Sequence, residues 1–316
     1  MRIAVIDLGT NTFDLIIDEI IGKSHKKLFE SKQPVKLGEG GIDKNIIVED
    51  AIERALISLT KFKKIIDKWK CTKTIAFATS AFRSASNGLM LVEKIKNELD
   101  INVEIINGDK EAELIYFGVK QALNIGNMPN LIIDVGGGSI EFIIANNTKI
   151  FWKQSFTIGA ARLLAKFNPT DPIKSEEISI ICNYLQEELQ PLWKIASKYS
   201  ISGLIGSSGS FDSLAEMILN KYHTVDILKN KTTYDFDLQE YVKVHNMLLK
   251  CDKKQRMKIK GLVAMRVDMI VVASICIHFV IHKLNITQMR LSTYSLKEGA
   301  VLDYINRHLS KINKHK

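Results

Sequence analysis

Proline and cysteine are scarce, 5 and 4 residues in a chain of 316. With so little proline and no long biased tract, a collagen-like or proline-rich disordered chain is excluded. Cys71, Cys182, Cys251 and Cys276 stand far apart with no CxxC pair, which suggests neither a zinc site nor a disulfide framework and fits a reducing cytoplasm. The most apolar run, Met269 to Ile281, falls short of the roughly 20 residues that span a bilayer. It reads as a buried helix, and no membrane partner is expected. The N-terminus lacks the succession of charged, apolar and cleavage regions of a signal peptide. Acids are outnumbered, 35 against 44 Lys and Arg, for a formal charge of +9. That field attracts anions: nucleic acid, acidic lipid, nucleotides or inorganic polyanions. Nucleic acid has nothing further in its favour, since no helix-turn-helix, zinc finger or aromatic RNA-binding signature is present.

What is there is the composition of a soluble globular protein, 46% hydrophobic and 25% charged, long enough for two domains. Two domains imply a cleft. Residues 2 to 8 and 12 to 20 predict a hairpin, and residues 27 to 37 a third strand. Val48 to Trp69 carries Ala51, Ala55, Leu56, Leu59, Phe62, Ile65 and Ile66 at helical spacing, an amphipathic helix against a sheet. Strand-like Thr74 to Ala78 and Val103 to Ile106 then alternate with helix-like Leu89 to Leu99 and Ala112 to Leu123, which is the α/β pattern. The second half is more helical, with Ala160 to Phe167, Lys174 to Lys198, Ser210 to Leu219, Asp237 to Leu249 and Leu262 to Leu284 all periodic. Leu204 to Gly209 reads as a strand and glycine turn, and Met289 to Leu296 as a last strand before an amphipathic helix from Lys297.

A duplication is the most informative feature. Ile6-Asp7-Leu8-Gly9-Thr10-Asn11-Thr12-Phe13-Asp14-Leu15-Ile16-Ile17 aligns without gaps to Ile133-Asp134-Val135-Gly136-Gly137-Gly138-Ser139-Ile140-Glu141-Phe142-Ile143-Ile144, 127 positions later. Any two strands share apolar residues; the match of aspartate, glycine, hydroxyl and second acid in register is far harder to reach by chance. A strand ending in Asp-x-Gly and turning tightly into a second strand gathers backbone N–H groups into a concavity suited to phosphate oxygens. Gly9, Gly136, Gly137 and Gly138 let a phosphate approach, and Thr10, Asn11, Thr12 and Ser139 add side-chain donors. An ordinary hairpin turn is the bland alternative for either loop alone. Asp7 and Asp134 end their strands where the two carboxylates would face each other across the cleft, hard ligands for Mg²⁺ (or Mn²⁺) bridging to phosphate, although either alone could merely cap a turn.

These two hairpins resemble the phosphate-binding pair of the superfamily that contains actin, sugar kinases and heat-shock chaperone ATPases. More narrowly, the chain resembles the exopolyphosphatase and guanosine pentaphosphate phosphohydrolase family through Val35–Gly40, Ala78–Arg83, Ile106–Tyr116, Gly206–Ser210 and Ser295–Gly299, in the expected order over nearly the whole chain. The resemblance implies an α/β fold of two actin-like (ribonuclease H-like) domains with a cleft between them, at about 1–124 and 125–296, the second more helical and the last helix, about 297–316, folding back on the first. It implies Glu111 as the carboxylate that orients and deprotonates the attacking water. By spacing alone Glu111 is an exposed acid in the first turn of a helix, where it favours the dipole. Arg83 matches an arginine that contacts phosphate, with a surface salt bridge as the other reading. Arg266, inside an apolar helix beside Asp268, matches another such position, with a buried ion pair as its alternative. Gly209 joins the phosphate set, and Glu141 aligns with an acid at the metal or water site. Asp14 is its duplicate.

The chain departs from the family pattern at three positions. Lys110 stands where a second acid is common, Glu113 where an arginine is frequent, and Asp14 where other residues are usual. Against the long family forms, the resemblance implies a short form without their additional C-terminal helical domains. Hydrolysis of terminal phosphoanhydride bonds of inorganic polyphosphate is the first expectation and guanosine pentaphosphate the next, with a homodimer implied by the resemblance. A kinase on the same scaffold and a non-hydrolytic polyphosphate or nucleotide sensor are the competing classes.

Overall fold

The structure is a computed structural model that describes residues 1–312 except Lys23, 224–227 and 229–230, with side chains described through Arg307. It divides into two compact units, Met1–Gly118 with the chain from Leu296 onward, and Val119–Ser295.

In the first unit β1 (Arg2–Leu8), β2 (Thr12–Ile21) and β3 (Ser24–Pro34) form an antiparallel meander. The helix α1 (Glu49–Lys68) buries Ala51, Ile52, Ala55, Leu59, Phe62 and Ile66, the expected stripe. β4 (Lys73–Ala78) runs parallel to β1 and leads into α2 (Ser80–Ser84) and α3 (Gly88–Leu99); β5 (Val103–Ile105) then pairs with β4 and leads into α4 (Gly108–Ala122). The sheet order is β3-β2-β1-β4-β5. Ile3 to Ile6 are buried on both faces of β1, as a central strand covered on both sides requires.

The second unit repeats this order. β6 (Asn130–Val135), β7 (Ile140–Ala145) and β8 (Ile150–Phe156) form the meander. The helices α5 (Ala160–Phe167), α6 (Ser175–Glu188) and α7 (Gln190–Ala196) follow, then β9 (Leu204–Ser207) parallel to β6. α8 (Gly209–Tyr222), β10 (Thr233–Phe236), α9 (Leu238–Lys250), α10 (Lys253–Arg256), α11 (Ile270–Lys283) and β11 (Met289–Ser292) complete it, in the order β10-β11-β9-β6-β7-β8. Each unit has its own apolar core. The last helix, α12 (Leu296–Ile312), packs on β1 and β2 of the first unit.

The duplicated hairpins therefore carry matching registers, Asp7 opposite Asp14 and Asp134 opposite Glu141. Two expected helices are broken. Lys174 to Lys198 divides at Leu189, because Pro191 lacks an N–H and is accommodated only in the first turn of a new helix. Leu262 to Leu284 begins instead as a 3₁₀ turn, Ala264–Arg266, in which Arg266 N–H donates to Val263 O (2.9 Å) and Met269 N–H to Arg266 O (3.0 Å). Arg266 is thus on a tight turn ahead of α11 and not inside it. From Ile270 to Ile277 α11 is buried all round, the buried helix expected of that run. Among the described residues no helix is long and apolar enough to cross a membrane.

Candidate functional site

In the first unit β5 delivers the chain to α4 through Asn107, whose side-chain Oδ1 accepts from Lys110 N–H (2.8 Å) and whose carbonyl accepts from Glu111 N–H (3.0 Å). This cap fixes Glu111 in the first turn of α4. Arg83, in the last turn of α2, donates from Nη1 to Ile106 O (2.8 Å) and to Glu111 Oε2 (3.0 Å). Glu111 is only 6% exposed, so the expectation of an exposed acid is corrected: the guanidinium and the neighbouring chain cover it. Two sequence-predicted residues, 28 positions apart, meet in one charge-assisted bond.

The turn at Gly9 to Thr12 is braced from behind. Gly38 N–H donates to Thr10 O (3.2 Å), and Val35 N–H (2.9 Å) and Lys36 N–H (2.8 Å) both donate to Asn11 O, which is the work of the Val35–Gly40 segment. Asp7 is half-buried at the end of β1. Asp14 accepts from Thr12 Oγ1 (2.9 Å) and faces Lys32 (3.2 Å) and Lys297 (3.9 Å). Lys297 also meets Glu30 (3.2 Å) and Glu298 (3.5 Å); despite burial, these acids hold its ammonium well above the ordinary lysine range.

In the second unit Asp134 lies between β7 and β9, opposite Glu141 and Ser207. Its Oδ2 accepts from Ser207 Oγ and Ser295 Oγ, each at 2.5 Å. Glu141, 1% exposed, accepts from Ser155 Oγ (2.6 Å). The glycine turn is tied to the N-terminus of α5: Ala160 N–H donates to Gly136 O (2.9 Å), Ala161 N–H to Gly137 O (2.8 Å) and Gly159 N–H to Gly138 O (3.3 Å). In a trans peptide the C=O and the next N–H point opposite ways. Carbonyls drawn toward α5 therefore aim the N–H groups of Gly137, Gly138 and Ser139 away from it. Among the described residues these three donate to no protein acceptor, although Gly138 and Ser139 are buried. Buried amides of this kind form a concave anion cradle.

Ser208 caps α8 at φ 67°, ψ 174°, a region that only glycine occupies without strain, and it donates from Oγ to Val135 O (3.2 Å). Next to it Gly209 is where the Arg266 guanidinium rests; a Cβ there would lie 1.4 Å from Nη2. The structure thus joins Gly209 to Arg266, while Asp268 is taken by Lys253 (2.7 Å). Burial raises the carboxyl of Glu216 on α8, partly opposed by the Arg266 charge. Among the described residues no group of three or more His, Cys, Asp or Glu is arranged to hold a metal. Mg²⁺ does not need one, because it keeps waters and takes one or two carboxylates with substrate phosphates. Asp134, steered by two hydroxyls through Oδ2, fits that role.

Residues 16–308 match the Ppx/GppA phosphatase family, a span that includes Glu111, the glycine turn, Gly209 and Arg266. The chain belongs to the Ppx/GppA phosphatase family. Its structure superposes on that of an exopolyphosphatase from Cytophaga hutchinsonii with TM-score 0.94 and 41% identity, covering 97% of this chain and 98% of the other. It is 30% identical over 313 residues to a bifunctional 3-dehydroquinate synthase/phosphatase of Fusobacterium nucleatum, covering 95% of this chain but 46% of that protein. It is 24% identical over 306 residues to exopolyphosphatase 1 of Mycobacterium bovis, covering 96% of this chain and 88% of the other. It is also 24% identical over 304 residues to a guanosine-5'-triphosphate,3'-diphosphate pyrophosphatase of Photobacterium profundum, covering 96% and 59%. The chain thus spans about half the length of the Fusobacterium nucleatum protein.

The Ppx/GppA resemblance also gives meaning to the departures. Lys110 and Glu113, where that pattern has an acid and an arginine, pair with each other (3.2 Å), and Lys110 reaches Asp303 on α12 (3.2 Å). Ser207 and Ser295, the partners of Asp134, lie in two Ppx/GppA segments noted in the sequence, but the side chain they serve is 73 and 161 residues away. Ser155 of β8 carried no signal.

Proposed function

We propose that this Ppx/GppA protein is an exopolyphosphatase that releases orthophosphate from the ends of inorganic polyphosphate. Glu111 orients the attacking water and takes its proton as oxygen bonds to the terminal phosphorus. The bond from that phosphorus to the bridging oxygen breaks, and the electron pair leaves with the shortened chain. The amides of Gly137, Gly138 and Ser139 hold phosphate oxygens, and Arg266, resting on Gly209, adds a cationic contact. Arg83 acts here by holding Glu111 in place through the bond to its Oε2. Asp134, with Glu141, would hold Mg²⁺ or Mn²⁺, which would neutralise phosphate charge.

The observation that carries this reading is the row of amide donors in the glycine turn, two of the three buried, which suits an anion. The formal charge of +9 suits a polyanion, and the exopolyphosphatase relative at 41% identity favours polyphosphate over the guanosine compound. The test is orthophosphate release from short and long polyphosphate, guanosine pentaphosphate and ATP at matched terminal-phosphate concentration, with Mg²⁺ and with chelator. Metal-dependent release from polyphosphate is expected. Release from guanosine pentaphosphate alone would replace the substrate, and release from none would leave a binding protein.

A further inference from the structure

We infer that Arg162 is a positioning residue that locks the last peptide plane of the glycine turn, and so governs affinity for the polyanion; this rests on the exopolyphosphatase reading. Of the three peptides that make the cradle, the first two are gripped by short backbone bonds, from Ala160 N–H to Gly136 O at 2.9 Å and from Ala161 N–H to Gly137 O at 2.8 Å. The third, between Gly138 and Ser139, has only the longer bond from Gly159 N–H at 3.3 Å. To that same carbonyl the Arg162 side chain donates from Nε at 3.1 Å. Arg162 is also tied to the turn through its backbone, its N–H donating to Gly137 O at 3.3 Å. It therefore holds the carbonyls of two successive peptide planes, the last one and the one before it.

The Gly138–Ser139 plane is hinged on one side at glycine, where no Cβ opposes a change in ψ, so of the two flanking residues only Ser139 has a side chain that resists its turning over. If the Gly138–Ser139 plane turned over, its carbonyl would enter the cradle and its N–H would leave, so one donor would become one acceptor facing a polyanion. The charge-assisted bond from Nε opposes that turn. The guanidinium adds a second effect, a positive charge behind the cradle where the first turn of α5 already presents the positive end of its dipole.

The two effects separate by substitution. Arg162→Lys keeps the charge but not the Nε donor in its fixed planar fork; Arg162→Met removes both. Dissociation constants for inorganic tripolyphosphate are measured by calorimetry on the full chain in the Glu111→Gln background, beside KM, kcat and thermal midpoint in the parent. Both variants are expected to bind about tenfold more weakly or worse, the worth of one hydrogen bond to a charged ligand. KM should rise in step, with kcat within threefold and the midpoint within a few degrees. Wild-type affinity in Arg162→Lys would overturn the lock and leave a charge effect. A lowered midpoint with unchanged affinity would make Arg162 merely structural and overturn it too. If the parent binds tripolyphosphate without releasing orthophosphate, the hydrolase reading fails while the affinities still decide the role of Arg162; if the parent does not bind it, both fail.

Discussion

Replacing Glu111 by glutamine isolates one function of one atom. Arg83 Nη1 donates to Glu111 Oε2 at 3.0 Å and keeps its second acceptor, Ile106 O, at 2.8 Å. A glutamine presents an amide oxygen to the same donor with nearly the same volume, and the Asn107 cap that fixes the turn uses backbone of position 111 only. The stability loss is thus the difference between a charge-assisted and a neutral hydrogen bond, about 1 kcal/mol. What the amide cannot do is accept a proton from water. General base catalysis contributes about 10²–10⁴-fold, so kcat should fall by that factor, about 3–5 kcal/mol of barrier. The dissociation constant for polyphosphate should stay within about threefold, because the phosphate donors are untouched. Orthophosphate release at saturating long-chain polyphosphate gives kcat, calorimetry gives affinity, and a thermal melt shows that the fold is kept. A kcat within tenfold of the parent, in a folded variant with normal affinity, would remove Glu111 as the base. Weakened binding with unchanged kcat would instead make it a contact to substrate.

Asp134→Asn keeps an oxygen for the hydroxyls of Ser207 and Ser295 but loses the charge, and should raise the Mg²⁺ concentration for half-maximal activity by at least about tenfold; an unchanged Mg²⁺ titration would exclude Asp134 from the metal. Gly159→Ala puts a Cβ 2.4 Å from the backbone of Gly137, so the glycine turn must move. A loss of about 1–3 kcal/mol in denaturant titration and weaker tripolyphosphate binding are expected, and neither would occur if the turn and α5 were not packed as described. Burial, with the neighbouring charges of His278 and His282, holds His245 at about 3, and burial with His282 holds His278 at about 4. Both rings stay neutral in the fold while the unfolded chain takes up protons below pH 6.5, so stability is lost as pH falls from about 6.5 toward 4. Between pH 6.5 and 5.5 the loss is about 1 kcal/mol for the buried His245 and smaller for the half-buried His278, whose charge solvent screens, and a His245→Asn, His278→Asn variant that kept the same pH slope would refute the assignment.

Much of the fold was legible because the polar residues of the two hairpins recur in register, and only a shared backbone geometry requires Asp, Gly, a hydroxyl and a second acid at the same four places. Helices α1 and α11 were legible for simpler reasons, a one-sided and an all-round apolar pattern. The misread stretches are those where a local signal was outweighed by periodicity. Pro191 stood in plain view inside Lys174 to Lys198, and the i, i+4 pattern persists across the break because α7 continues to bury Leu192 and Ala196 against the same core. In Leu262 to Leu284 the apolar run hides a 3₁₀ turn that places Arg266 over Gly209, a tertiary contact 57 positions back in the chain that no local pattern encodes. Glu111 shows the same limit: its place in a first turn was readable, and its burial was not, since the covering group is Arg83.

The hydrogen bonds behind the two turns show what duplication preserved and what it left to be found anew. In the first unit the carbonyls of Thr10 and Asn11 are drawn back by Gly38, Val35 and Lys36, a segment that follows the third strand. In the second, the carbonyls of Gly136, Gly137 and Gly138 are drawn back by the first turn of α5, which also follows the third strand but is helical. Trans peptide geometry makes the two solutions equivalent: whichever element takes the carbonyls, the next N–H groups face the other way. The repeat in the sequence therefore stops at the hairpin, since the brace needs only donors at the right place and an extended segment or a helix start can supply them. The arginines differ too: Arg54 donates to the brace of the first unit, at Val35 O (2.8 Å) and Lys36 O (3.0 Å), whereas Arg162 donates to a carbonyl of the glycine turn itself, and the helical brace adds a dipole, which concentrates positive potential behind that turn. Substitutions in the brace of the second unit should accordingly weaken anion affinity more than equivalent ones in Val35 to Gly38, although the two hairpins read almost alike.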